Sequence, residues 1–295
     1  MHLLLLAQVI TLADTSLAAA IDRRVAATDS AQVAVAIVDL GSGASWYRNA
    51  DTVFHAASTM KVPVLVEAFY AAREGRISLE QELLVVNQFA SIVDGSPYAL
   101  DARVDGDSAL YGLVGRRVPV RDLARRMITR SSNLATNIMV AVLGAGQINT
   151  TARKLGVTRS LVLRGVEDQK AFDRGMSNTM TARDLATLFA ALQRGQIAGP
   201  DDTRDMLDIL LAQEFNSKIP AGLPPGTRVA HKTGEITAVS HDGGIVYPPG
   251  RAPYVLVVLT RGVRDGRASA ALIADISRIV YAHVVGPQAG TQPRP

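Results

Sequence analysis

Cysteine is absent from this 295-residue chain, which excludes disulfides, thiolate metal sites and a cysteine nucleophile. The absence leaves the compartment open, because a chain of this length can bury a core that needs no covalent staple. Lysine is scarce: Lys61, Lys154, Lys170, Lys218 and Lys232 are the only five. A motif built on lysine therefore rarely arises here by chance. The five histidines (His2, His55, His231, His241, His283) include no pair at a metal-ligand spacing on one helix face, and H-E-x-x-H is missing, so neither metal nor cofactor is expected. Beyond the first twenty residues no apolar run approaches the roughly 20 residues that cross a bilayer, and residues 254–259 are far too short. The excess of 31 basic over 27 acidic residues leaves a net charge of only +4, without the Lys/Arg block of a nucleic-acid binder.

What remains is a globular composition, 48% hydrophobic and 20% charged, long enough for one large domain or two ordinary ones. The N-terminus supports two readings. Residues 3–6 open an apolar stretch that ends in Leu17-Ala18-Ala19-Ala20, like a secretory leader with small residues at its cleavage point. No Lys or Arg precedes it, and Gln8 and Asp14 interrupt it, so residues 1–20 are either a leader or an extension of the first helix.

Residues 16–27 suit a helix, and 33–38, Gly41-Ser42-Gly43 and Trp46-Tyr47 read as strand, turn and strand. A helix begins near Ser58 and runs to about Arg73, with Gly75 as its stop. Asp94-Gly95-Ser96-Pro97 and Asp105-Gly106-Asp107 punctuate 85–118, which reads as a long excursion. Helical patterns follow at 120–128, 134–143 and 148–155. Residues 156–180 have no clean period, and a loop that long in a compact domain is usually functional or disordered. Thr181-Ala182-Arg183-Asp184 opens a helix ending at Gly195, as a capping box with Asp in the reciprocating position. A helix at 201–213, a turn-rich crossing at Pro220 to Gly226, strands at 228–232, 245–247 and 254–260, and a helix at 268–284 complete the chain, leaving 286–295 as a flexible tail. This order suggests an α/β lobe at 21–57 and 205–285, split around a helical lobe at 58–204.

Three short elements carry candidate chemistry. Ser58-Thr59-Met60-Lys61 sets a hydroxyl and an amine three apart at a helix start, within reach of each other. A serine is a poor nucleophile until its proton is taken, and a lysine takes it only when desolvation or nearby positive charge lowers its pKa. Free N–H groups at the helix start add donors for an oxyanion. Alone, the motif is weak and fits an ordinary helix start with a surface lysine better. Ser131-Ser132-Asn133 likewise fits a helix cap. Lys232-Thr233-Gly234 fits a strand end, where glycine admits another backbone or a ligand. Two of only five lysines nonetheless fall in these elements, in the order Ser-x-x-Lys, Ser-x-Asn, Lys-Thr-Gly.

In that combination, over about residues 30–285, the chain resembles the serine penicillin-recognising enzymes, the class A β-lactamases and related D,D-peptidases. The resemblance implies an α/β, β-lactamase/transpeptidase-like fold, with an antiparallel sheet flanked by helices (an αβα sandwich) and an all-helical lobe. It also implies roles. Ser58 is acylated, Lys61 helps remove its proton, and Ser131 passes a proton to the leaving nitrogen. Asn133 hydrogen-bonds the substrate's amide side chain, Lys232 and Thr233 bind its carboxylate beside Gly234, and the backbone N–H groups of Ser58 and Glu235 form the oxyanion hole.

Fast deacylation separates a β-lactamase from its relatives. Class A enzymes use a loop glutamate in a Glu-x-x-x-Asn pattern, and the candidate is Glu167, whose distance from Ser131 resembles the family spacing. Asn137 matches an asparagine that steadies that glutamate. The plain reading of Glu167 is a solvated loop carboxylate paired with Arg164. The chain departs from the family at Ala171 (usually Asn), Asn178 and Ser132 (each usually Asp), and in its longer 85–118 excursion. Three functions stay open: a β-lactamase, a D,D-peptidase or other serine hydrolase with slow deacylation, and a β-lactam sensor. The expected partner is a small molecule, a β-lactam or a D-Ala-D-Ala-type peptide, with no nucleic acid and no membrane span, for a monomer exported to the periplasm or secreted.

Overall fold

The computed structural model describes residues 15–286. Its centre is a five-stranded antiparallel sheet. The strands are β1 (Gln32–Asp39), β2 (Ser45–Arg48), β3 (Arg228–Ile236), β4 (Val239–Tyr247) and β5 (Tyr254–Arg261), in the order β2-β1-β5-β4-β3. Successive side chains of a strand point to opposite faces. Val33, Val35 and Ile37 of β1, with Leu256 and Val258 of β5, join one core cluster; Ala34, Ala36, Val255, Val257 and Leu259 join a second on the other face. Burial on both faces is why 254–259 is a continuous apolar run rather than an alternating one. Each such Val, Leu or Ile contributes roughly 1.5–3 kcal/mol by leaving water.

Helices α1 (Thr15–Ala26) and α9 (Gly266–Val285) cover the first face. Leu17, Ile21 and Val25 recur at helical spacing along α1 and share a core with Leu272, Ile273, Ile276 and Val280 of α9. By length and composition α9 could cross a membrane, but its apolar stripe is spent on the sheet. The leader reading for 1–20 lies largely outside the described residues; Thr15 to Ala20 form the first turns of α1, with Leu17 buried. The tail, but for Gly286, also lies outside them.

The other helices are α2 (Lys61–Arg73), α3 (Val120–Thr129), α4 (Asn133–Leu143), α5 (Ala145–Lys154), α6 (Gln169–Asp173), α7 (Ala182–Gln193) and α8 (Pro200–Leu211). α7 lies on the second face of the sheet, so close that a Cβ at Gly243 would stand 3.0 Å from Leu185 Cδ2. α2 is buried nearly all round, from Lys61 through Phe69, and packs against α3, α4 and α5. The expected helix at Ser58 begins instead as a 3-10 turn, Ala57–Met60, and becomes α-helical at Lys61, with Pro63 tolerated in the first turn. The capping box of α7 forms by half. Thr181 Oγ1 accepts from the Asp184 N–H, but the Asp184 carboxylate turns away to the N–H groups of Thr158, Arg159 and Ser160. A buried carboxylate is better satisfied by those three donors than by one cap N–H.

Candidate active site

The two-residue ladder Phe54–His55 with Thr179–Met180 delivers the chain into the Ser58 turn. Ala57 there takes φ 44°, the left-handed region that a non-glycine residue enters only under local constraint. The turn is pinned by the Ala56 N–H on Asn178 O (2.8 Å) and the Ala57 N–H on His55 Nδ1 (3.0 Å). β3 runs past it so closely that a Cβ at Gly234 would lie 3.1 Å from the backbone nitrogens of both Ser58 and Thr59. Glycine allows that approach without displacing the turn, and it sets the Gly234 backbone against the N–H of Ser58.

Side chains at i and i+3 of a 3-10 turn eclipse one another, so Lys61 stands on the Ser58 side of the helix start. Its Nζ makes its hydrogen bonds with the Ser131 carbonyl (2.7 Å), Ser131 Oγ (3.1 Å) and Asn133 Oδ1 (2.8 Å), rather than with Ser58. Lys232 Nζ meets the same Ser131 Oγ at 3.0 Å. A hydroxyl has two lone pairs and one proton. With two amines on its lone pairs, Ser131 has its proton left to give. Both lysines are fully buried. Burial drives the Lys61 pKa down to about 7, against the upward pull of Asp105 and Glu167. Burial, and next the positive charge of Lys61, push Lys232 well below its ordinary value, with Asp242 opposing.

Glu167 lies on the far lip. Its backbone has φ 61° and its Oε1 accepts from Asn133 Nδ2 at 2.6 Å. The residue is exposed as a whole, yet partial shielding of the carboxyl raises its pKa; Asp105 adds to the rise, while the Asn133 bond opposes it. The pairing with Arg164 that the plain reading allows does not form: Arg164 donates instead to the carbonyls of Met176 and Gly165. Asn137 holds the residue before Glu167 from both sides, accepting from the Val166 N–H (2.6 Å) and donating to its carbonyl (3.0 Å). Asn178 closes the loop base by accepting the N–H groups of Leu163 and Arg164 and donating to the Arg164 carbonyl, which a carboxylate could not do. A Cβ at Gly165 would stand 2.3 Å from Asn137 Oδ1. Gly165→Ala is therefore expected to displace the Asn137 amide, costing roughly 1–3 kcal/mol in urea unfolding through the buried groups it strands.

The 85–118 excursion folds onto this site. Asp105 accepts the N–H groups of Asn133 and Leu134 at the start of α4, beside the Ser132 cap, and the Tyr111 hydroxyl donates to it. Asp168, the cap of α6, binds Ser91 Oγ (2.9 Å) and the Ile92 N–H (2.9 Å). Burial works against its charge, but these donors and the Ala171 N–H hold its carboxyl below the usual range. A cavity of about 630 Å³ lies between Ser58, His55, Asn133, Glu167, Phe172 and Ile236. A second, of about 320 Å³, continues past Ser58 to Ser131, Thr233, Glu235, Lys218 and Arg130.

A serine that shares one cleft with two buried amines, a bridging hydroxyl and a loop carboxylate invites comparison with known hydrolases. A sequence model of the β-lactamase enzyme family matches residues 16–284. The chain belongs to that family. The β-lactamase AST-1 of Nocardia asteroides is 32% identical over 260 residues, 86% of this chain and 79% of that protein. A Streptomyces albus G β-lactamase is 26% identical over 267 residues, 88% and 83% of the two chains. The solved structure of PBP-A is 32% identical, with a TM-score of 0.78 over 92% of this chain and 96% of its own.

As a member of the β-lactamase family, the chain is a serine β-lactamase-like hydrolase of the expected fold, an antiparallel sheet between helices. Ser58, Lys61, Ser131, Asn133, Lys232, Thr233, Gly234, Glu235, Asn137 and Glu167 all come to or beside this cleft. Reading the sequence missed Asp105, which had the look of turn punctuation, and Lys218. The latter is a third buried lysine, with Nζ 3.2 Å from Glu235 Oε2 and 3.3 Å from the carbonyls of Gly234 and His241. Lysine scarcity was the available signal, because three of the five serve this one cleft.

Proposed function

We propose that this hydrolase opens β-lactam rings through an acyl-enzyme on Ser58 and releases the product with water activated by Glu167. The observation that carries the reading is Glu167 hydrogen-bonded to Asn133 across the cavity that also holds Ser58. The neutral Lys61 amine, accessible with a pKa of about 7, takes the Ser58 proton as Oγ bonds to the lactam carbonyl carbon. The backbone N–H groups of Ser58 and Glu235 receive the oxyanion. As the lactam C–N bond breaks, Ser131 gives its proton to nitrogen and is reprotonated by Lys61, which thereby passes on the proton it took from Ser58. Lys232 and Thr233 hold the substrate carboxylate. Glu167 then takes a proton from water, the hydroxyl adds to the ester carbon, and the C–O bond to Ser58 breaks as the proton held by Glu167 passes to the Ser58 oxygen.

A second reading, a D,D-peptidase with slow deacylation, is favoured by the likeness to PBP-A and by Ala171, buried where the family pattern has asparagine. A PBP-A variant 32% identical to this chain is solved as an acyl-enzyme complex with penicillin-G. A periplasmic or secreted location fits either substrate and the bacterial relatives.

Intact-mass spectrometry after mixing with benzylpenicillin, sampled from seconds to hours, tests the proposal. A penicilloyl adduct that forms and disappears while the drug is consumed is the expected result. An adduct that persists favours the peptidase or a sensor, and none at all overturns the Ser58 assignment for this substrate class.

A further inference from the structure

The geometry points to His55 as a positioning residue for the nucleophile: its Nδ1 lone pair holds the Ala57 N–H, and through it the left-handed turn that presents Ser58. This rests on the Ser58 reading above and adds to it a residue outside the three motifs. The contact is 3.0 Å and runs from residue i+2 back to the side chain of residue i, the geometry in which an Asn or Asp side chain mimics a turn. Ala57, at φ 44°, has no glycine-like freedom to hold that conformation unaided.

The residue is held at three points, two on its backbone and one on its ring. Its residue pairs with Thr179 in the short ladder, its carbonyl lies 2.8 Å from Nε2 of the buried His241, and its imidazole meets Phe172 edge-on with centroids 6.2 Å apart. Burial and next the positive charge of Arg164 hold the His55 pKa below its ordinary value, which keeps Nδ1 free to accept at neutral pH. Burial drives His241 down to about 4, so it adds no cation behind the ring at neutral pH. Glu167 and Asp168 line the same cavity. A second coupling follows from the ladder. Thr179 lies next to Asn178, which clips the base of the Glu167 loop and whose carbonyl accepts the Ala56 N–H, so one short stretch anchors both the nucleophile turn and that loop.

Two variants separate an acceptor from a mere space-filler. His55→Phe keeps a ring against Phe172 but has no acceptor; His55→Asn restores an acceptor to the same N–H and does not titrate. The readouts are the single-turnover acylation rate with benzylpenicillin, the dissociation constant of the noncovalent complex, and hydrogen exchange of the Ala57 amide by NMR. His55→Phe is expected to acylate roughly tenfold to a hundredfold more slowly, as misplacement of a nucleophile does, with an unchanged dissociation constant. Its Ala57 amide exchanges faster. His55→Asn is expected to stay near wild type in all three. An asparagine variant as slow as the phenylalanine one, or a phenylalanine variant with wild-type acylation or Ala57 protection, overturns the proposal. Where His55→Phe does not fold, loss of Ala57 protection in His55→Asn overturns it and retention upholds it. A wild-type protein that forms no penicilloyl adduct refutes the β-lactam reading alone, because the amide exchange still decides the anchor.

Discussion

Glu167→Gln is expected to leave the protein trapped as its penicilloyl ester. Glutamine matches the shape of glutamate and can still accept from Asn133 Nδ2, so the loop held by Asn137 and Asn178 has no reason to move. It cannot take a proton from water. Loss of a general base costs roughly 10²–10⁴-fold, here confined to deacylation, while adduct formation stays within a few-fold of wild type. Intact-mass sampling over hours separates the two steps, since the adduct that disappears in wild type then persists. A further effect follows from charge. Glu167 is one of two carboxylates that raise the Lys61 pKa, so its neutralisation moves the acid limb of acylation to lower pH. Turnover of the adduct at the wild-type rate in the glutamine variant would remove Glu167 as the water-activating base.

The contrast between Glu167 and its neighbours shows what the sequence carries. The hydroxyl and amine of Ser58 and Lys61 were legible because a helix start fixes side chains three apart by local geometry alone. Asp105, Lys218 and His55 were not, because each acts through a contact distant in sequence or through one conformation of a turn. Asp105 lies 28 positions from the Asn133 N–H it accepts, and an Asp-Gly-Asp run reads most simply as a turn. The strands behaved in the same way. β5 was visible as an apolar run. β4 was expected only at 245–247 but begins at Val239, through Ser240-His241-Asp242-Gly243-Gly244. Polar residues in a buried strand look wrong until their partners are known: His231 Nδ1 lies 2.9 Å from Asp242 Oδ1, and His241 faces the His55 carbonyl and the Thr260 N–H. Those partners brace the β3–β4 edge that carries Lys232 and Gly234.

Lys61→Met is the counterpart of Glu167→Gln and is expected to stop the cycle one step earlier. Methionine approximates the stem of lysine in a buried position, but no group beside Ser58 then takes its proton, and acylation falls by roughly 10²–10⁴-fold. The pH dependence identifies the base. The reactive form of Lys61 is the neutral amine, with a pKa of about 7, so wild-type acylation declines as pH drops below about 7. The residual rate of Lys61→Met lacks that limb. Stability shows the same group from the other side. A lysine of the unfolded chain titrates near ~10.4, so between about 7 and that value the unfolded state binds more protons than the folded one, and the folded state gains stability as pH rises. Urea unfolding at pH 7 and pH 9 should therefore show a smaller gain for Lys61→Met than for wild type, with the remainder coming from Lys232, which is depressed for the same reason. A variant that keeps both the acid limb and the full gain would mean that Lys61 is a structural cation and that the proton of Ser58 leaves by another route, with Glu167 among the carboxylates on the same cavity.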